Sequence, residues 1–445
     1  MPGIVAQIVG NYGKRVWNGC LESAGRLSAI LTSYKCATPK HGRPSRDGKG
    51  AVCVHTDHRR IRQPAFQLTL PLLAFDNEAS FNLPCFEAPG SSGRMCGSAT
   101  RCFFLLHMGM KSRPPSLLWC IVPLACAPAL WAGEFTLPAS PSTVVWGYYS
   151  AQSKPALTVK SGDTVRMQTL STCAPERMRA AGVPVPQYDL DIHAKVTDKG
   201  PGGHILTGPV AIEEAEPGDV LEVQIQKIDI DVPFACNSFG PGRGFLPNDF
   251  PYGRTKVIPL DLAHMVGRFG PGIDIPLHPF FGSMGVAPEG GARINSGPPW
   301  MHAGNMDNKE LVAGTTLFIP VHAKGALFQA GDGHAGQGNG EVDITAMETW
   351  LTGTFRFVVH KDQHLLWPRA ETPTSYISMG FDEDLKVATE MAVRNMIDFL
   401  VTEKHLSKDD AYALTSIAVD VDITQLVDGK VGVHAMCPKN IFDRK

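Results

Sequence analysis

Hydrophobic positions in this chain alternate with polar ones more often than they recur at helical spacing. In ALTVKSGDTVRMQTL, residues 156–170, two short runs flank the turn composition Ser161-Gly162-Asp163. GPVAIEEAEPGDVLEVQIQKIDI (208–230) follows the same plan. One run is followed by Pro217-Gly218-Asp219, then by Leu221, Val223 and Ile225 alternating with Val220, Glu222 and Gln224. TTLFIPVHAKGALFQA (315–330) predicts another pair of strands, and EVDITAMETWLTGTFRFVVH (341–360) one long strand or a hairpin. Helical spacing comes late. Leu385, Ala388, Ala392, Val393, Met396, Ile397 and Leu400 predict a helix over 384–401. Ser407 to Asp410 reads as a capping box with Asp in place of Glu, opening a second short helix, and 417–428 returns to alternation. Between the β regions, 233–300 is dense in Gly and Pro and predicts a long connection that wraps the core or carries function. The expectation is one mainly β unit with a small α/β part at its C-terminal end.

The first 107 residues behave differently. They show no sustained period, and their apolar run LTLPLLAF (68–75) is isolated. They carry 13 Lys/Arg against 6 Asp/Glu, whereas the remaining 338 residues carry 28 against 37. Over all 445 residues the formal charge is only −2, so nothing overall points to nucleic acid or a membrane surface as partner. In MKSRPPSLLWCIVPLACAPALWAGEF (110–135), Lys111 and Arg113 precede an apolar run from Leu117 to Leu130, and small residues follow. That is the order of a secretory signal peptide. The run falls short of the ~20 residues a spanning helix needs, and Pro123 and Pro128 would break a helix. We therefore expect a signal peptide at 108–132, no stable membrane span, and a catalytic domain at 133–445 that is periplasmic or secreted. Residues 1–107 are then an extension upstream of a true start at Met108 or Met110, or a basic transit segment, with no folded domain.

Cysteine follows the same division. Eight of eleven lie at or before Cys126, and only Cys173, Cys236 and Cys437 follow. Three are no disulfide framework. They read as buried small hydrophobes, with one bridge left for geometry to decide.

The segment GDGHAGQGNGE (331–341) concentrates polar chemistry among glycines. It lacks the Lys and the following helix of a phosphate loop, and its acids would repel phosphate. A metal site fits better. Asp332 and His334 are two apart and share a face in extended chain. Asn305 and Asp307 repeat the spacing, and His204 stands at the entry to a strand. Imidazole and carboxylate are ordinary ligands of divalent ions; the plainer alternative is that these residues make turns. Period two places Glu348 on the apolar face of Val342, Ile344, Ala346 and Trp350. A carboxylate aimed inward is ligated, held neutral or paired, Arg356 being one partner to consider. Glu348 and Glu341, which opens the same run, are thus candidate general bases. There is no GxSxG elbow and no readable Cys–His signature, which favours attack by water.

Taken together, LTGPVAIEEAEPGDVLEV, IPLHPFFGSMGVAPE, GNMDNKELVAGTTLFIPV, GALFQAGDGHAGQGNGE and PRAETPTSYISMGFDEDL resemble the motifs of the acetamidase/formamidase family, in order from about Trp146 to Pro438. The resemblance implies a mainly β, sandwich- or barrel-like fold, a homo-oligomer, and hydrolysis of short linear amides to carboxylate and ammonia. It also implies a divalent metal, in the first instance zinc, held by some of His204, Asp307, Asp332 and His334. Glu341 or Glu348 would then be the base and Asn305 would help steady the oxyanion. Phe280, Phe281 and Met284 would wall a small amide pocket. The family usually has GGNMD and an acidic residue before its final Gly-Glu; Ala303 and Asn339 stand there instead. A larger amide, or a non-catalytic periplasmic binding protein on the same scaffold, are the alternatives.

Overall fold

The computed structural model describes residues 132–442. The expected extension 1–107 and signal segment 108–132, Ala132 excepted, lie outside the described residues, as do the eight early cysteines.

The alternating runs fold into two sheets packed face to face. In the larger, nine-stranded sheet, Val220–Ile230 pairs antiparallel with Leu351–His360 near the middle. Thr316–Pro320 lies on the other side of Val220–Ile230, and Thr164–Gln168 on the other side of Leu351–His360. In the smaller, six-stranded sheet, Ala303–Asn305, Phe280–Gly285, Phe328–His334, Ile205–Ile212 and Val144–Trp146 lie side by side in that order. Leu157–Val159 adds to Ile205–Ile212 in parallel.

The core between the sheets follows from the two-residue period. Leu221, Val223 and Ile225 are buried, while Glu222 and Gln224 between them are only half-buried. Opposite them stand Val210, Phe281 and Phe328. Aromatic rings lock the layers, Phe281 to Phe355 at 5.3 Å and Phe328 to Phe357 at 5.1 Å between centroids. Each such buried ring is worth roughly 1.5–3 kcal/mol of transfer from water.

The expected helices form. Leu385–Thr402 opens on Asp384, whose carboxylate accepts from the backbone N–H groups of Lys386 and Val387. Lys408–Ala418 opens on Ser407, which accepts from Asp410 N–H. Both helices contribute to a separate small core with Val433, Ala435 and Cys437 of the strand Val431–Pro438. No helix among the described residues is long and apolar enough to cross a membrane.

Three expectations need correction. Region 233–300 is not one long connection. Phe234–Phe239, Arg254–Asp261, Val266–Gly270 and Ile273–Pro276 form a four-stranded meander, and Phe280–Gly285 enters the smaller sheet. Its strands are short and interrupted by Pro259, Gly267 and Pro276, which hides their alternation. Helices also arrive earlier than expected, at Pro175–Ala180 and Gln187–Lys195, each too short to show a helical period. Finally, only Leu351–His360 of the run 341–360 is a strand. Glu341 and Ile344 have positive φ, 42° and 82°, and Val342 is 57% exposed, so the inferred face through Val342 and Ile344 does not exist.

Cys173 and Cys236 are bonded to each other, with Cα atoms 6.0 Å apart, which overturns their reading as unpaired hydrophobes. Cys437 remains a buried free thiol. The bridge joins positions 63 residues apart. By chain entropy alone, closing such a loop contributes roughly 4 kcal/mol.

Candidate active site

Strand order explains how distant residues meet. Phe328–His334 carries Asp332 and His334. On one side, Phe280–Gly285 runs antiparallel, and its register sets Gly282 across from Asp332. Beyond it, Ala303–Asn305 supplies Asn305 and leads directly to Asp307. On the other side, Ile205–Ile212 is entered through His204. The irregular segment 335–350 then folds back. An isolated bridge pairs Glu348 with His334, and Glu341 is buried beside Asp307.

Gly282 shows how tightly these groups converge. A Cβ there would meet Asp307 Oδ1 and Asp332 Oδ2, each at 2.5 Å, and His334 Cε1 at 3.0 Å. Asp307, Asp332 and Glu341 all have positive φ, at 50°, 57° and 42°. Three acids held in a region that costs non-glycine residues energy, all in one cluster, is the kind of backbone strain that gathers at functional sites.

The two imidazoles have defined tautomers. Gln337 Nε2 donates to the Asp307 carbonyl at 2.8 Å, so its Oε1 accepts from His334 Nδ1 at 2.9 Å. His204 Nδ1 faces the Ser296 carbonyl at 3.1 Å and donates to it. Each ring therefore turns Nε2 toward carboxylates. His334 Nε2 is 3.2 Å from Glu348 Oε1 and 3.5 Å from Asp332 Oδ2. His204 Nε2 is 3.8 Å from Asp332 Oδ2. A bare nitrogen lone pair facing carboxylate oxygens is repulsive unless a positive charge lies between them.

The titration directions agree. Burial alone would lower the pKa of His334, but the charges of Glu348 and Asp332 outweigh it and raise it well above the usual imidazole range. Burial likewise works against ionisation of Asp332, yet His334 and His204 hold it down at about 2. Asp307 and Glu341 are pushed well above the carboxylate range, first by burial and then by the acids around them.

His334 Nε2, Asp307 Oδ1 and Glu341 Oε2 are buried with no hydrogen-bond partner among the described residues. The carboxylates near His334 Nε2 are within ion-pair distance but out of hydrogen-bond alignment. Ligand atoms of Asp307, His334 and Glu341 lie within 4.8 Å of one another, as do those of Asp332, His334 and Glu348. Nitrogen and oxygen donors, each imidazole anchored through its other nitrogen, suit a divalent ion such as zinc.

Asn305 does not match its expected role. Its Nδ2 donates to Asp307 Oδ2 at 2.6 Å and Asp428 Oδ2 at 3.2 Å, and its Oδ1 accepts from Ser283. Both amide hydrogens are engaged, so it orients carboxylates instead of meeting an oxyanion. The expected pocket wall is also displaced. Phe281 and Met284 belong to the core between the sheets, and Phe280 stands edge-on to His334 with centroids 4.9 Å apart. A cavity of about 250 Å³ opens instead beside His204, Asp332, Glu341, Glu348 and Asp428. Sequence reading missed Asp428, which looks like an ordinary Asp-Gly turn, and Gln337 and Thr172. Only the three-residue step from His334 to Gln337 was visible in the chain. Glu348 is buried, 2% exposed, but by its bridges to Cys236 and His334 and not by strand period; Arg356 is engaged elsewhere, with Gly162 and Gln224.

The Acetamidase/Formamidase family model matches residues 153–293 and 289–444, and the chain belongs to this family. A Schizosaccharomyces pombe protein bearing the formamidase name is 30% identical over 201 residues, 32% of this chain and 48% of that one. The formamidase of Methylophilus methylotrophus is 26% identical over 302 residues, 51% of this chain and 73% of that one. The crystal structure of a predicted acetamidase/formamidase from the thermophile Thermoanaerobacter tengcongensis is 28% identical, with a TM-score of 0.61 over 70% of this chain and 98% of that one. The chain spans about half the length of the first of these relatives.

Proposed function

We propose that this chain hydrolyses short linear amides to carboxylate and ammonia at the cluster around His334. The observation that carries the reading is the set of buried, unpartnered donors, His334 Nε2, Asp307 Oδ1 and Glu341 Oε2, gathered where Gly282 leaves room. Kinship with proteins named formamidase and acetamidase supports the reaction class.

Asp332, His334 and Glu348, with His204 and Asp307 beside them, would hold a divalent ion. When bound, such an ion acidifies water toward neutral pH and polarises a carbonyl. The remaining chemistry belongs to the chain. Glu341, buried and with its Oε2 unpartnered, accepts a proton from water. The water oxygen bonds to the amide carbon, and the carbonyl π pair moves to oxygen. Glu341 returns the proton to nitrogen, the pair on oxygen re-forms the C=O bond as the C–N bond breaks, ammonia leaves, and the acid formed gives up its proton to solvent as carboxylate. Asn305 keeps Asp307 and Asp428 apart and fixed through these steps.

The same cavity favours a second reading, a larger amide bearing an anionic group. Arg177 and Arg243 line it; Arg177 donates to Thr255, and the charge of Arg243 acts on Asp428 in the same cavity. We also place the protein in an oxidising compartment, periplasmic or secreted, supported by the Cys173–Cys236 bridge and the signal-like segment. Self-association is part of the reading, supported by exposed Phe245, Leu246, Phe250 and Tyr252. Ammonia release from formamide, acetamide, propionamide and a short amide bearing a carboxylate tests the proposal. Turnover of the neutral amides supports the first reading and preference for the acidic one supports the second. No release from any of them contradicts both.

A further inference from the structure

Glu348 lies in an irregular segment, yet it is held on every side. Its N–H donates to the Cys236 carbonyl at 2.8 Å, and Cys236 N–H donates to its carbonyl at 2.9 Å. Cys173 Sγ stands 3.4 Å from the same carbonyl oxygen. Thr172, the residue before Cys173, donates its hydroxyl to Glu348 Oε2, while Ala346 N–H donates to Oε1 at 2.8 Å. Thr172 itself belongs to no strand or helix. The covalent tie that brings it to Glu348 is the bond from Cys173 to Cys236.

We propose that the Cys173–Cys236 disulfide is a clamp that positions Glu348 for hydrolysis, with Thr172 as the positioning residue it delivers. One end of the bridge fixes the Glu348 backbone through Cys236, and the other carries the hydroxyl that fixes the carboxylate. Both cysteines are buried, at 2% and 1% exposure, so the clamp is a permanent fixture and not a readily operated switch. The proposal rests on the assignment of Glu348 to the hydrolytic centre, and Thr172 and the two cysteines act only through it. A carboxylate free to swing by even 1 Å loses the alignment on which rate depends.

The test compares the full-length oxidised protein with the double variant Cys173→Ala/Cys236→Ala and with Thr172→Val and Thr172→Ser. Two readouts are taken: backbone hydrogen exchange across 346–350, and kcat and KM for ammonia release. Removing the bridge is expected to speed exchange at 346–350 about tenfold or more and to lower kcat about tenfold, with KM changed less than about threefold. Thr172→Val keeps the bridge and the exchange protection but loses kcat to a similar extent. Thr172→Ser, which keeps the hydroxyl, restores kcat to within about twofold. Unchanged exchange and unchanged kcat in the folded double variant overturn the proposal, as does a Thr172→Ser variant as slow as Thr172→Val. Should the double variant not fold, the Thr172→Val and Thr172→Ser pair, in which the bridge is intact, decides the proposal by the same outcomes. If exchange responds as expected but the oxidised protein releases no ammonia from any amide, the clamp stands and the hydrolytic reading falls.

Discussion

His334 Nε2 lies 3.2 Å from Glu348 Oε1, and both side chains are almost wholly buried, at 1% and 2% exposure. Nδ1 of the same ring is committed to Gln337, so the nitrogen that meets the carboxylate is the one free to bind a cation. Asp332 Oδ2 lies near it too, at 3.5 Å. Replacing His334 by Ala removes the donor shared by both candidate ligand groups. Bound zinc should fall below about a tenth of an equivalent and kcat/KM by about 100-fold or more. Metal analysis of the purified variant is the check; full metal content would place the ion elsewhere.

Glu341 is assigned a proton and not the ion. Glu341→Gln keeps its shape and removes its basicity. The variant should retain its metal and lose about 100-fold or more in kcat. Loss of metal together with rate would make Glu341 a ligand and pass the role of base to Glu348.

Gly282 owes its place to what surrounds it. Gly282→Ala puts a methyl 2.5 Å from two carboxylate oxygens of the site. The fold should survive at a cost of about 1–3 kcal/mol, as overpacked positions do, while metal content and activity collapse. Retention of both, measured alongside the melting temperature, would show that the cluster is looser than this.

Asp189 gives a stability prediction away from the reaction. It accepts from Trp350 Nε1 at 2.8 Å, and burial pushes its pKa up to about 6 from 3.8. His193 sits 3.2 Å away, but burial lowers its pKa, so the contact joins two groups that favour their neutral forms. Between about pH 4 and 6 the folded state holds a proton that the unfolded state has released, so this contribution to stability is lost as pH rises. The loss amounts to roughly 3 kcal/mol by pH 7. In Asp189→Asn it should be absent. Melting temperatures of the two proteins from pH 4 to 7 test this; parallel curves would contradict it.

Thr164–Gln168 and the first half of Val220–Ile230 were legible because each buries one face, and a two-residue period is the direct record of that, whereas Ile205–Ile212 and Phe328–His334 are buried throughout and show only as short apolar runs beside turn residues. The late helix was legible because Ala388, Ala392 and Met396 share a buried stripe. The meander at 234–276 was not, because its strands leave many positions on both faces exposed or half-buried and so write no clear alternation. Within the site, the pair Asp332 and His334 could be read from spacing on one strand. Asp428 and Thr172 reach it only through the topology of other elements. Asn305 was visible as a site residue but not as one whose donors are already used. Ala303 shows both limits. The family's usual glycine suits its φ of 65°, whereas the methyl it carries instead is wholly buried in the main core, which offsets part of the backbone cost.

The central claim, that a divalent ion at the His334 cluster supports amide hydrolysis, is tested most directly by removing the ion with a chelator and titrating zinc back. Bound zinc and ammonia release from acetamide would be followed together. The account predicts negligible release from the stripped protein and recovery of the two in step, complete near one ion per chain. Undiminished release from protein shown to be free of metal would contradict it.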